Sequence, residues 1–233
     1  MSIAKNIEST RALLVEAAAH AGRDPASVML LAVSKTFPAD AVIEAADAGQ
    51  HAFGENYLQE ALDKQQAVHA LHPALALEWH FIGPIQSNKT RPVAEHFAWA
   101  HAVDREKIAR RLSEQRPPHL PPLNICLQVN VSDEASKSGV SPAELLALAQ
   151  AVVTLPNLKL RGLMAVPEPT DDVELQRKPF TLLRQLQQQL ADMGIATDTL
   201  SMGMSSDMQV AIAEGATIVR VGTAIFGKRD YAK

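Results

Sequence analysis

Cys126 is the one cysteine in 233 residues, so no internal disulfide framework can hold the chain and the fold must rest on a packed core. Cys126 falls inside the apolar run NICLQVN and is expected to be a core residue rather than a nucleophile. An excess of positive charge is also lacking. The formal net charge of −4 and a pI near 6.1 give no electrostatic reason to expect nucleic acid or an anionic membrane as partner. Long hydrophobic runs are missing as well. The N-terminal stretch MSIAKNIESTRALLVEAAAHAG is amphipathic and carries Glu8 and Glu16, so it reads as neither signal peptide nor membrane span, and a cytoplasmic location is expected. No GxSxG, GxGxxG or P-loop is present. The HxxH pair His69 and His72 precedes Pro73 and has no third ligand at usable spacing, so no metal site is expected. No Gly/Ser/Pro-rich linker divides the chain, and the densest proline cluster, RPPHLPP at 116 to 122, is a short connection. Residues 1–233 therefore read as one domain.

What is present is the composition of an ordinary soluble globular protein, 47% hydrophobic and 21% charged, arranged with a period. Short apolar runs recur at VMLLAVSK (28 to 35), HAFGEN (51 to 56), LEWHFIG (77 to 83), WAHAVD (99 to 104), NICLQVN (124 to 130), LKLRGLMAV (158 to 166), TLSMGM (199 to 204) and TIVRVGTAIF (217 to 226). Stretches of helical spacing separate them. Ser141, Pro142 and Glu144 make a helix start, with a capping side chain, proline in the first turn and an acid to follow. Pro179, inside the longest stretch, is expected to kink or divide its helix. Strands alternating with helices imply parallel pairing and right-handed crossovers. Eight such units predict an α/β fold, a (β/α)₈ TIM barrel with an extra N-terminal helix; the same alternation also permits an open doubly wound sheet.

In such a barrel the active face lies at the C-terminal ends of the strands. Lys35 closes the first run, either as a solvated lysine or as an amine held at a pocket mouth where its environment makes it a nucleophile. Asn56 closes the second run. SMGMSSD (201 to 207) offers hydroxyls at Ser205 and Ser206 and a helix start at Ser206 or Asp207, whose N–H groups suit an anion. VRVGTAIFG (219 to 227) carries Gly222 and Thr223 late in the eighth run. Phosphate in this fold commonly sits on the loops after strands seven and eight, although a cap and a tight bend explain the same residues without a ligand. Arg220 is a guanidinium within an apolar strand, so it is expected either in an ion pair across the barrel or facing a ligand.

A lysine after strand one, anion donors after strands seven and eight and an arginine on strand eight together suggest pyridoxal 5′-phosphate. The segments AVSKTFP, FGENYLQEALDK, WHFIGPIQSNK, VNVSDEASKSGV, GLMAVP, LSMGMSSDMQVAIAEGAT and VRVGTAIFGKR closely resemble the pyridoxal phosphate homeostasis proteins, the YggS-like or proline synthetase co-transcribed family. Their fold is similar to the N-terminal barrel of alanine racemase. The resemblance spans residues 32 to 229 and implies that Lys35 is the Schiff-base lysine. It also implies that Asn56 and Met204 lie beside the cofactor, that Ser201, Ser205, Gly222 and Thr223 line the phosphate, and that Arg220 faces the ring nitrogen.

An arginine at that place cannot accept a proton and does not favour a pyridinium, so the ring would be a weak electron sink. This argues against aminotransferase or decarboxylase chemistry and leaves racemisation or simple cofactor binding. A two-base racemase needs a second proton carrier on the opposite face. In alanine racemase a tyrosine of a separate C-terminal domain of the partner subunit supplies it. Here the tyrosines are Tyr57 and Tyr231, and neither is an obvious substitute. The expectation is a monomeric protein that binds pyridoxal phosphate reversibly and buffers or delivers it, with apoenzymes as recipients; the alternative is a racemase of low activity. The loop DEASKSG (133 to 139) reads as a solvated turn or as a lid in which Lys137 offers a second amine and Glu134 reports occupancy.

Overall fold

A computed structural model describes residues 2–132 and 138–228. In chain order the elements are α1 (Ile3–His20), β1 (Met29–Val33), α2 (Ala39–Asp47), β2 (Ala52–Glu55), α3 (Leu58–Leu71), β3 (Glu78–Phe81), α4 (Thr90–His96), β4 (Trp99–Val103) and α5 (Glu106–Gln115). They continue with β5 (Leu123–Gln128), α6 (Leu145–Val153), β6 (Leu158–Met164), α7 (Val173–Asp192), β7 (Thr199–Ser201), α8 (Met208–Ala213), β8 (Ile218–Val221) and α9 (Thr223–Phe226). Every strand pairs in parallel with the next, and β8 returns to β1 with Leu31 opposite Arg220 and Ala32 opposite Val221. The sheet is closed, which makes this a (β/α)₈ barrel and rules out the open doubly wound alternative.

The strands are apolar on both faces because helices cover them outside and side chains fill them inside. The outer layer is the larger core: Val42, Phe53, Val93, Ile108, Leu112, Leu148, Phe180 and Ile212 lie between sheet and helices. The inner one is small, built on Leu31, Trp99, Cys126, Met164 and Ile218. Cys126 is fully buried there, as expected of a core residue, and burial pushes its thiol up to about 12. The N-terminal helix α1, capped by Ser2, whose Oγ accepts from Lys5 N–H, buries Ile7, Leu14 and Ala18 and packs against α2, α8 and α9. It clasps the seam where the first and last units of the barrel meet. Among the described residues no helix is long and apolar enough to cross a membrane.

Three local expectations change. The eighth apolar run is not one strand: β8 stops at Val221, and TAIF forms the short helix α9. Within it Ile225 is buried against the outer core while Thr223 and Ala224 are exposed. Pro179 does not divide α7, which runs unbroken through it. The missing proline N–H would have served the carbonyl of Leu175, which is exposed, so water can take that bond. Ser141 does not cap a helix directly. Its Oγ donates to Glu144 Oε2 across a turn, and α6 begins only at Leu145.

Candidate functional site

At the C-terminal ends of the strands lies a cavity of about 700 Å³. Val33 and Lys35 from the end of β1, Asn56 after β2, Ile82 and Pro84 after β3, and Gln128, Ser138, Met164 and Val166 form one part of its wall; Met204, Ser205, Ser206, Arg220, Gly222 and Thr223 complete it. Seven of the residues singled out from the sequence, Lys35, Asn56, Met204, Ser205, Arg220, Gly222 and Thr223, thus meet around one space. Ser201 is fully buried and is not among the lining residues; its hydroxyl accepts from Arg220 Nη1. Glu134, Lys137 and Tyr231 lie outside the described residues.

Lys35 is held by its neighbours. It is part of a turn closed by Phe37 N–H donating to Ser34 O at 3.0 Å, and Thr36 takes a left-handed φ of 69°. Thr36 N–H donates to Glu60 Oε1 at 2.6 Å. Behind the turn, Lys64 Nζ donates to Ser34 O at 2.8 Å, Glu55 Oε1 at 2.6 Å and Glu60 Oε1 at 3.0 Å. Lys64 and Glu55 are both buried. Burial pushes the Glu55 carboxyl up, while the Lys64 ammonium and the Ser34 hydroxyl hold it down. The Lys35 ammonium stands 5.9 Å from the centre of the Tyr57 ring. Gly83 closes this side: a Cβ there would meet Asn56 O at 2.3 Å, so only glycine lets the loop after β3 pack on the end of β2.

The other side is built from β7 and β8. Gly203 has φ of 94°, and its carbonyl accepts from Arg220 N–H at 2.9 Å. Asp207 ties down the loop by accepting from Met204 N–H at 2.6 Å. Thr223 opens α9, whose first N–H groups have no partner within the helix. Arg220 donates from Nη1 to Ser201 Oγ at 2.7 Å and from Nη2 to Ala165 O at 2.8 Å. Among the described residues it makes no ion pair, so the cross-barrel pair expected as one option does not form. Burial draws its guanidinium down to about 10. One amine, one guanidinium, hydroxyls and helix-start N–H groups around a half-open cavity suit a small anionic ligand with an electrophilic carbon.

Residues 6–230 match the family model for the alanine racemase N-terminal domain. The chain is 64% identical to the pyridoxal phosphate homeostasis protein of Pseudomonas aeruginosa over 99% of its own length and 97% of that protein. It is 55% identical to the protein of that name from Escherichia coli, over 99% and 98%. The chain belongs to the pyridoxal phosphate homeostasis protein family. A solved structure of PipY from Synechococcus elongatus with PLP bound matches at TM-score 0.80 and 39% identity, over 97% of this chain and 100% of that one. Alanine racemase from Corynebacterium glutamicum, at 18% identity and TM-score 0.71, shares the barrel fold.

This member of the pyridoxal phosphate homeostasis family carries two features that sequence reasoning missed. His80 and His101 are fully buried inside the barrel and in contact, with His80 Nδ1 at 2.9 Å from His101 Nε2. His80 Nε2 lies 2.8 Å from Glu78 Oε1, and His101 Nδ1 lies 2.8 Å from Ser201 Oγ. A signal was there: each histidine sits mid-run in a strand, in LEWHFIG and WAHAVD, where a polar side chain must find buried partners. The second is the cluster of Glu55, Glu60 and Lys64 behind the Lys35 turn, whose residues all stand in FGENYLQEALDK beside Asn56 and Tyr57.

Proposed function

We propose that the protein binds pyridoxal 5′-phosphate in the rim cavity, held by Lys35, and serves intracellular vitamin B6 homeostasis by keeping and releasing the cofactor rather than by turning over a substrate. The observation that carries this reading is the meeting of Lys35 and Arg220 in one cavity, with the guanidinium hydrogen-bonded, among the described residues, to a hydroxyl and a backbone carbonyl. The donor set fits the group: a buried cation that makes no ion pair among the described residues favours an acceptor opposite, and helix-start N–H groups with hydroxyls favour a phosphate. When bound, pyridoxal phosphate supplies an aldehyde that bonds reversibly to a primary amine.

In this reading Lys35 is the amine, and Glu60 and Lys64 hold its turn. Ser205, Gly222 and Thr223 take the phosphate, and Ser201 acts on the site through Arg220. Asn56 and Met204 border the ring. Arg220 only donates, so it would leave a ring nitrogen held against it unprotonated, and the site would be poor at stabilising a carbanion. Tyr57 stands at the Lys35 amine, on the side of the cavity that already has a proton carrier. The reading therefore carries no efficient racemisation. It further takes residues 1–233 as one domain, the protein as a cytoplasmic monomer, and apoenzymes as recipients of the cofactor.

Visible absorbance tests it. Purified protein given pyridoxal phosphate is expected to gain a band absent from the free cofactor, and Lys35→Ala to lose or shift that band. A wild-type protein that stays colourless would overturn the cofactor assignment, and conversion of an L- to a D-amino acid at enzymatic rates would replace storage by catalysis.

A further inference from the structure

Running lengthwise through the barrel, the buried polar side chains form an unbroken line. Arg220 Nη1 meets Ser201 Oγ at 2.7 Å, Ser201 Oγ meets His101 Nδ1 at 2.8 Å, His101 Nε2 meets His80 Nδ1 at 2.9 Å and His80 Nε2 meets Glu78 Oε1 at 2.8 Å. Arg220 lines the cavity at the C-terminal ends of the strands; Glu78 opens β3 and so stands at the opposite mouth. We propose that Glu78, His80 and His101 are positioning residues for that cavity: they impose one direction on the line of hydrogen bonds and so keep the lone pairs of Ser201 turned to Arg220. The proposal deepens the cofactor reading above and rests on it for its ligand.

The two ends settle the direction. A guanidinium can only donate, and an ionised carboxylate can only accept. Starting from Glu78, His80 must present Nε2–H to the carboxylate, which leaves Nδ1 as an acceptor in the neutral ring. His101 must then donate from Nε2, leaving its own Nδ1 to accept the hydroxyl proton of Ser201. With that proton committed, the oxygen of Ser201 accepts from Arg220. The reverse direction would set His80 Nε2 lone pair to carboxylate, and would point His101 Nδ1–H at the Ser201 oxygen that Arg220 uses. Both contacts would be repulsive or would compete in a site without solvent, since His80, His101 and Ser201 are fully buried.

The surroundings agree. Burial holds both imidazoles toward the neutral form, His101 additionally feeling His80 and the Arg220 charge. Glu78 is held ionised by its bond from His80 against partial burial, with Arg161 and the Trp99 indole N–H adding to it. Trp99 stacks on His80, with ring centres 5.2 Å apart and planes 7° apart, and the Arg161 guanidinium lies over Trp99, 4.6 Å from its ring centre. The rings are thus clamped as well as bonded.

Two measurements test the proposal. Nitrogen NMR of the side-chain imidazoles, on cofactor-free protein, is expected to find His80 and His101 both neutral and protonated on Nε2. A proton on Nδ1 of either ring, or a charged ring at neutral pH, would overturn it. Glu78 is 43% exposed, so Glu78→Lys can be made without burying a charge; it puts a donor at the acceptor end. It is expected to move both protons to Nδ1 and to weaken pyridoxal phosphate binding about tenfold, the scale of one charge-assisted hydrogen bond, while Glu78→Gln, which keeps an acceptor, restores both. Unchanged tautomers and affinity in Glu78→Lys would sink the proposal. If wild-type protein takes up no pyridoxal phosphate, the cofactor reading fails, and the tautomers of the wild type and of Glu78→Lys still decide the direction of the line.

Discussion

Threonine resists the conformation the chain demands one residue past Lys35. Thr36 sits at φ 69°, a left-handed backbone that costs a β-branched residue about 1–2 kcal/mol. What holds it there is Glu60, whose carboxylate accepts from Thr36 N–H at 2.6 Å and from Lys64 at 3.0 Å. The turn therefore stores strain beside the cavity amine. Thr36→Gly should stabilise the fold by no more than about 1 kcal/mol, because glycine's greater freedom in the unfolded chain offsets part of the relief. Glu60→Ala should cost about 1–2 kcal/mol, since it strips a partner from Lys64, which is buried. Urea unfolding of the two variants checks both. A Thr36→Gly protein as unstable as Glu60→Ala would mean that the turn carries no strain.

At the scale of elements, the junction of β7 with α8 is packed too closely for a side chain. Gly203 takes φ 94°, and a Cβ on it would lie 2.5 Å from the Cβ of Ala211. Its carbonyl also receives the Arg220 N–H, so any shift of the turn passes to the strand that carries the guanidinium. Gly22, at φ 65°, has nothing within 4 Å of such a Cβ. Gly22→Ala should therefore show only the conformational cost of about 1 kcal/mol, and Gly203→Ala should lose about 2 kcal/mol beyond that. Equal losses in thermal unfolding would show that α8 simply moves away. The same contrast explains what could be read from the chain in advance. Strand number was legible because parallel strands covered on both faces stand out as apolar runs, whereas closure was only favoured by their number, since an open sheet shows the same runs. The end of β8 was not, since TAIF is as apolar as the strand before it and only three-dimensional packing divides them. Lys35, Arg220 and the SMGMSSD loop were legible as exceptions to local rules. Glu55, Lys64, His80 and His101 were not, because their full sets of partners form only in the folded barrel: Ser34 for Glu55 and Lys64, and His101 and Ser201 for the histidine line, stand 21 to 100 residues away in the chain.

For the molecule as a whole, a barrel with two neutral histidines in its interior should bear a particular dependence on pH. Burial lowers the folded pKa of both His80 and His101, whereas in the unfolded chain each returns to an ordinary value of about 6.5. Above that value both states are neutral and the rings contribute no slope. As pH falls below it, the unfolded chain takes up protons that the folded barrel refuses, so stability is lost with falling pH until the folded rings titrate, by at most about 1.4 kcal/mol per pH unit for each ring. Glu55 and Asp207 act in the opposite sense just above their ordinary range, because burial raises both; Glu78, lowered by its bond from His80, adds to the loss once pH drops into the carboxylate range. The histidine contribution is isolated by difference. Chemical denaturation from pH 7 down to about pH 5 should give a steeper slope for wild type than for His101→Gln, by about one proton, whatever the absolute stability of the variant. Parallel slopes would mean that His101 takes up its proton in the folded barrel as readily as in the unfolded chain, and a charged imidazole so close to Arg220 would then have to be explained by a counter-charge inside the barrel.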